Sequence, residues 1–267
     1  MLTILDVGGE GNLSQRNRLS CRPDHPVWGQ VAWFTANIEA SKRPDILADA
    51  ITLSSVRDAS VDGIYSSHTI EHIDVDLSRQ MFENWFRVLR PGGRIEIRCP
   101  DTEWTWREYF AGRLPEPIIT ELLMGIRTGP YEVHRNLWWG SKLIGELGAQ
   151  GFVNACRIDY GFVHPLLDFW LYDGTHPEYH GFKVIDLLIE AYKPDSDAAA
   201  QTPSTRPTRS LVRQRSAVIT AVAPWIPYKL RKLARRIHLF QQRNAARIAL
   251  QSILIPEPIA ESEHHPS

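Results

Sequence analysis

Apolar and polar residues alternate along this chain in blocks of two kinds, short and nearly continuous or longer and periodic. Leu2-Thr3-Ile4-Leu5-Asp6-Val7 is of the first kind and predicts a buried strand, which ends in Gly8-Gly9-Glu10-Gly11-Asn12. The stretch up to about Gln30 contains Pro23 and Pro26 and has no helical period, so a loop is expected there. Val31–Glu39 and Val61–Ser66 predict further strands, Asp45–Ala50 a short strand or turn, and Ser67–Ile73 a passage into helix. The clearest helix is Asp76–Arg90. There Leu77, Met81, Trp85 and Val88 recur on one face, and Phe82, Phe86 and Leu89 widen it. Pro91-Gly92-Gly93 is expected to stop that helix, and Arg94–Cys99 then alternates as a strand does.

Glu103–Gly125 has helical character interrupted by Pro115 and Pro117. Trp138–Gln150 predicts a helix, Gly151-Phe152 a turn, Val153–Tyr160 a strand and Asp186–Tyr192 a last strand. Strands alternating with helices define the expected fold class. It is α/β, a Rossmann-like doubly wound, mostly parallel sheet with helices on both faces, followed by a basic helical C-terminal tail. The expected organisation is a domain over residues 1–194 with a lid-like insertion at 101–139. A linker follows at 195–210, rich in Asp, Ala, Pro, Ser and Thr, and then the tail at 211–267.

Charge divides the chain in the same place. Residues 198–256 hold 11 Lys and Arg and no Asp or Glu, whereas residues 1–197 carry 19 basic against 28 acidic groups. Lys229–Arg247 sets Arg231, Lys232, Arg235, Arg236, Arg243 and Arg247 among Leu230, Leu233, Ile237, Leu239 and Phe240. Such a basic amphipathic helix suits packing on its own domain or in a dimer, peripheral contact with a membrane surface, or attraction to nucleic-acid phosphates. The first of these is favoured and nucleic acid is the least expected. Cys21, Cys99 and Cys156 form neither a zinc pattern nor an even disulfide set, which fits a cytoplasmic setting. The strand-like start at Met1 leaves no room for a signal peptide, and no apolar run is long enough to span a bilayer.

The turn at Gly8, Gly9 and Gly11 follows a first strand, where backbone can approach a ligand closely. It does not fit a dinucleotide fingerprint. Gly9-x-Gly11-x-x-Ser14 lacks the third glycine, and no helix follows to hold a pyrophosphate.

The ordered blocks Leu5–Gly9, Ala36–Glu39, Pro44–Ala50, Val61–His72 and Phe86–Gly93 resemble the class I S-adenosylmethionine-dependent methyltransferases, in particular the small bacterial type that starts at its first strand. The stretches Ser66-Ser67-His68-Thr69-Ile70-Glu71-His72 and Arg87–Asp101 carry most of this likeness, which covers roughly residues 2–194. The resemblance implies that Gly8, Gly9 and Gly11 pass beneath the methionine part of S-adenosylmethionine, with Ser66 and Ser67 nearby. It places Asn37, with Glu39 two residues on, where an acid binds the ribose hydroxyls, and Asp49 with Ala50 at the adenine. Glu10 and Asn37 depart from the family pattern, a glycine and an acid being usual there. They motivate an alternative reading, a non-catalytic relative acting as an assembly or regulatory module at a membrane surface.

Methyl transfer from a sulfonium needs an acceptor held in line and, for a hydroxyl acceptor, loss of a proton; it implies no metal. His68, His72 and His134 are the candidate catalytic groups, His134 being carried by the insertion. Asp101 is expected to cap a helix. Trp104, Trp106, Tyr109, Phe110, Trp138 and Trp139 are expected mainly in the core; were they to line a pocket, a glycan or another small-molecule acceptor would suit them.

Overall fold

The computed structural model describes residues 2–9, 31–125, 129, 131–158, 186–195 and 247–255. Seven strands form one sheet: β1 (Leu2–Val7), β2 (Val31–Asn37), β3 (Ile46–Leu47), β4 (Val61–Ser67), β5 (Leu89–Pro100), β6 (Val153–Arg157) and β7 (Asp186–Tyr192). Their order is β3-β2-β1-β4-β5-β7-β6. The first five run parallel, and β7 lies antiparallel to both β5 and β6. The fold is therefore Rossmann-like α/β, a mixed and mostly parallel sheet flanked by helices. From β1 the chain first builds outward through β2 and β3, then returns to the other side for β4. That reversal opens a crevice at the carboxyl ends of β1, β2 and β4.

The strands are apolar because both faces of the sheet are covered. Leu5, Ile64, Ile95, Ile97, Leu187 and Ile189 are wholly buried. Helix α1 (Val75–Val88) adds Met81, Phe82, Trp85 and Val88 to the same core, as its periodicity predicts, whereas Leu77 of the expected stripe is exposed because the helix begins beside the cavity and not over the core. It ends at Val88, two residues before the expected stop, and the chain turns extended at Leu89 and enters β5 directly. The terminator is remote in sequence. Lys193 donates from Nζ to the carbonyls of Phe86 (2.7 Å) and Leu89 (2.8 Å), a cation on the negative end of the helix.

Other expected boundaries shift for local reasons. β2 stops at Asn37, whose side chain is drawn into the turn, and β3 keeps only two residues. The helix expected over Ser67–Ile73 is a single 3-10 turn, Ile70–His72, entered through His68 at a φ of 52°. The broken helix resolves into α2 (Thr102–Phe110) and α3 (Glu116–Met124), with Pro115 at the N-cap of α3 and Pro117 in its first turn, where a missing N–H costs nothing. Helix α4 (Gly140–Ala149) begins two residues after Trp138, which is buried. The strand predicted over Val153–Tyr160 is seen to Arg157; its last two residues lie outside the described region.

Of the tail, residues 247–253 are helical and return to the domain. Ile253 is fully buried in the core, Leu254 bridges Val56, and Arg57 donates to the Ile253 carbonyl at 2.8 Å. The linker beyond Asp195 and most of the basic stretch lie outside the described residues. No helix among the described residues is long and apolar enough to cross a membrane.

Candidate active site

A cavity of about 610 Å³ opens at the carboxyl ends of β1, β2 and β4. Gly8 makes its floor, at a φ of +85° that favours glycine; a Cβ there would run into the Thr69 side chain. Thr69 is fixed by donating from Oγ1 to the Val7 carbonyl at 3.1 Å. Asn37 Nδ2 donates to the carbonyls of Gly8 (3.0 Å) and Gly9 (3.4 Å), and its Oδ1 accepts from the Glu39 N–H at 2.9 Å. The amide thus ties the glycine turn to the end of β2 and sets the backbone of Glu39, which lines the cavity. An aspartate could accept but not donate, so it could not make the first two bonds. Asp49, further along the same wall, accepts from the Ile51 N–H at 2.7 Å through Oδ1.

The opposite wall combines the turn after β4 with the insertion. Arg135 and Asn136 donate their N–H groups to the Glu71 carbonyl at 2.8 and 3.1 Å, and Trp138 donates from Nε1 to the Ile70 carbonyl at 3.2 Å. Gly125, at a φ of +74°, bridges Val133 and permits this close pass. Through these contacts His134 is carried to His72, with ring centroids 4.9 Å apart. Each ring is pinned by Nδ1 to a backbone carbonyl, His72 to Val133 (3.2 Å) and His134 to Leu122 (3.0 Å). Burial pushes His134 below the ordinary imidazole range, against the pull of Glu71.

Behind this wall runs a buried line of charge. Arg98 donates from Nε to Asp186 at 2.5 Å, Asp186 lies 3.3 Å from His68 Nε2, and His68 Nδ1 lies 3.1 Å from Glu71 Oε1. Burial alone would lower the His68 pKa, but the charge and hydrogen bond of Asp186, then those of Glu71, outweigh it and carry it from 6.5 to about 9. Glu71 is correspondingly lowered: burial opposes its charge, and the His68 hydrogen bond and charge prevail. A raised histidine adds stability that is complete below its unfolded value of 6.5 and is lost as pH rises through about 9. The wild-type protein should therefore unfold at a higher temperature than His68→Gln at pH 6, with the gap closing by pH 9.5. A gap independent of pH in thermal melts would refute this linkage.

The cavity brings together most of the residues singled out from sequence. Gly8, Asn37, Glu39, Asp49, Ala50, His68, His72 and His134 all line it. Gly9 packs against the Asp6 carboxyl and does not, and Gly11 and Glu10 lie outside the described residues. Ser66 and Ser67 do not line the cavity: Ser66 sits fully buried between Val7 and Ile97 in the sheet, and Ser67 closes the strand. Asp101 caps α2, accepting from the Trp104 N–H at 3.1 Å, as expected. Of the aromatic set, Trp104 and Trp138 are buried, while Trp106, Tyr109, Phe110 and Trp139 are exposed, and none lines the cavity. Glu71 and Thr69 stood inside a quoted motif without a role. Asp186 carried no signal, being 118 residues from the histidine it meets.

Residues 29–97, a stretch containing β2 to most of β5, match the sequence profile of a family described as "Methyltransferase domain". A SAM-dependent methyltransferase from Archaeoglobus fulgidus superposes with a TM-score of 0.44 at 17% identity, covering 72% of this chain and 86% of that one. One from Methanosarcina mazei gives 0.46 at 17% identity, covering 73% and 93%. The 1,6-didemethyltoxoflavin-N1-methyltransferase of Burkholderia thailandensis, solved with its substrate and S-adenosylhomocysteine, gives 0.42 at 14%, covering 72% and 71%. No protein of curated function matches the sequence.

Proposed function

We propose that the protein is an S-adenosylmethionine-dependent methyltransferase acting on a hydroxyl of a small-molecule or glycan acceptor. The observation that carries this reading is the two-ended cavity, with Gly8, Glu39 and Asp49 on one wall and His72 and His134 on the other. Its volume of about 610 Å³ lies within the range of small-molecule sites, roughly 300–1,000 Å³. The cradle at Gly8, which a Cβ would fill, suits a ligand laid against backbone. The methyltransferase-domain match, residues 29–97, includes Glu39 and Asp49 of the first wall and His72 of the second.

When bound, S-adenosylmethionine supplies a methyl group already activated on a sulfonium. The chain's own contribution is placement. Glu39 would hold the ribose hydroxyls through its carboxylate, Asp49 would receive the adenine amino group, and Gly8 would allow close passage of the methionine end. Asn37 serves as the brace that aims Glu39, so its departure from an acid does not argue for a non-catalytic relative. His68, doubly protonated at neutral pH between two carboxylates, positions the wall and is no proton acceptor. His72 and His134 face the acceptor.

Calorimetry of the full chain with S-adenosylmethionine and S-adenosylhomocysteine tests this reading; absence of binding at millimolar ligand would overturn it. Glu39→Ala should weaken binding roughly tenfold to a hundredfold, as expected for loss of charge-assisted bonds worth about 1.5–3 kcal/mol. Asn37→Asp should also weaken it, because it sets a carboxylate against two carbonyls. Tighter binding by Asn37→Asp would restore the non-catalytic alternative.

A further inference from the structure

Glu71, His72 and His134 have a property that methyl transfer alone does not require. One ligand-capable atom from each lies within 4.8 Å of the other two. Glu71 is 2% exposed; its Oε1 meets His68, and its buried Oε2 has no hydrogen-bond partner among the described residues. A buried carboxylate oxygen left unpaired is costly, and such a group suits a cation or a further donor. Both histidines give Nδ1 to a backbone carbonyl, at 3.2 and 3.0 Å. That is how metal-binding imidazoles are commonly oriented, with the proton on Nδ1 and the lone pair on Nε2. Glu71 is oriented in the same manner by His68.

We propose that Glu71 Oε2, His72 Nε2 and His134 Nε2 bind one divalent first-row transition ion, zinc or a metal of similar preference. Two imidazoles with one carboxylate select against magnesium and calcium, which favour all-oxygen shells. Three protein ligands leave coordination positions open, as in catalytic rather than structural sites. All three residues line the cavity, so an ion held there would lie within reach of an acceptor bound in it. Metal binding stands on this geometry alone; its use in holding an acceptor hydroxyl rests on the methyl-transfer reading.

The test uses the full chain, stripped with a chelator and titrated with Co²⁺ by visible absorption and with Zn²⁺ by calorimetry, without S-adenosylmethionine. One ion per chain is expected, with d–d bands in the Co²⁺ form. His72→Ala and His134→Ala should each weaken it by roughly a hundredfold or more, above the tenfold to hundredfold typical of outer-shell partners. His264→Ala/His265→Ala, which removes the adjacent pair near the C-terminus, should leave binding unchanged. X-ray absorption of the unmutated Co²⁺ protein should show two imidazoles with oxygen ligands and gives a result even where a variant fails to fold. No binding, a sulfur shell, binding indifferent to His72 and His134, or binding lost with His264 and His265 would each overturn the site. Failure here leaves cofactor calorimetry unaffected, so the two readings fall separately.

Discussion

Asp186→Ala should cost about 3–5 kcal/mol of folding stability at neutral pH, the range for breaking a buried ion pair by removing one partner. Asp186 is 7% exposed and meets two cations at once, Arg98 at 2.5 Å and His68 at 3.3 Å. Its loss removes one carboxylate from beside the buried Arg98 guanidinium and the buried His68 imidazolium at once, while Glu71 stays in contact with His68. His68 should respond by releasing its proton near neutrality, so part of the loss is relieved at alkaline pH. Urea unfolding at pH 7 and pH 9.5 reads this: the deficit of the variant should shrink at the higher pH, because the wild type then loses the same imidazolium. Asp186→Asn, which keeps the shape, should show the same pH trend. A deficit below 1 kcal/mol in either variant would mean that the charge line is not a structural element.

Gly8→Ala is expected to be the most damaging single methyl addition in the site. It meets two obstacles at once, a φ of +85° that an L side chain rarely adopts and a Cβ driven into Thr69. The first costs about 1 kcal/mol. The second must displace Thr69, which anchors the end of β1 through the Val7 carbonyl. Cofactor affinity should fall by at least about a hundredfold, since the floor of the cavity moves. Thr69→Ala should be mild alone, and Gly8→Ala/Thr69→Ala should regain stability relative to Gly8→Ala while keeping the backbone strain. Calorimetry and melting of the four proteins form a double-mutant cycle. Additive effects would show that the contact with Thr69 is not the cause.

These two positions show what a sequence can disclose about such a site. Gly8 was legible, because a glycine at the end of a first strand has few other purposes, and the apolar periodicity of α1 and β7 reported elements that bury one stripe or both faces. Local chemistry was legible too, as at Asp101, where cap and helix are neighbours. What escaped was anything decided by distant partners. Asp186 approaches His68 only once β7 is laid beside β5, and Lys193 ends a helix closed more than a hundred residues earlier. Asn37 looked like a lost acid because the carbonyls it serves belong to another strand. Ser66 lies buried in the sheet between Val7 and Ile97, a placement that its position in the motif does not disclose.

The return of residues 247–255 also has a practical side. Ile253 fills core space beside the loop that Arg87 holds through the carbonyls of Thr52, Leu53 and Val56, and Ile255 donates its N–H to the Ser55 carbonyl at 3.0 Å. That same loop starts from Ala50, whose carbonyl receives the Trp85 indole and which lines the cavity beside Asp49. Trimming the chain at Asp195 would therefore take Ile253 out of the core and Leu254 off Val56, next to the loop that lines the cavity. Soluble expression of a shortened chain is consequently a poor guide to how the full chain binds.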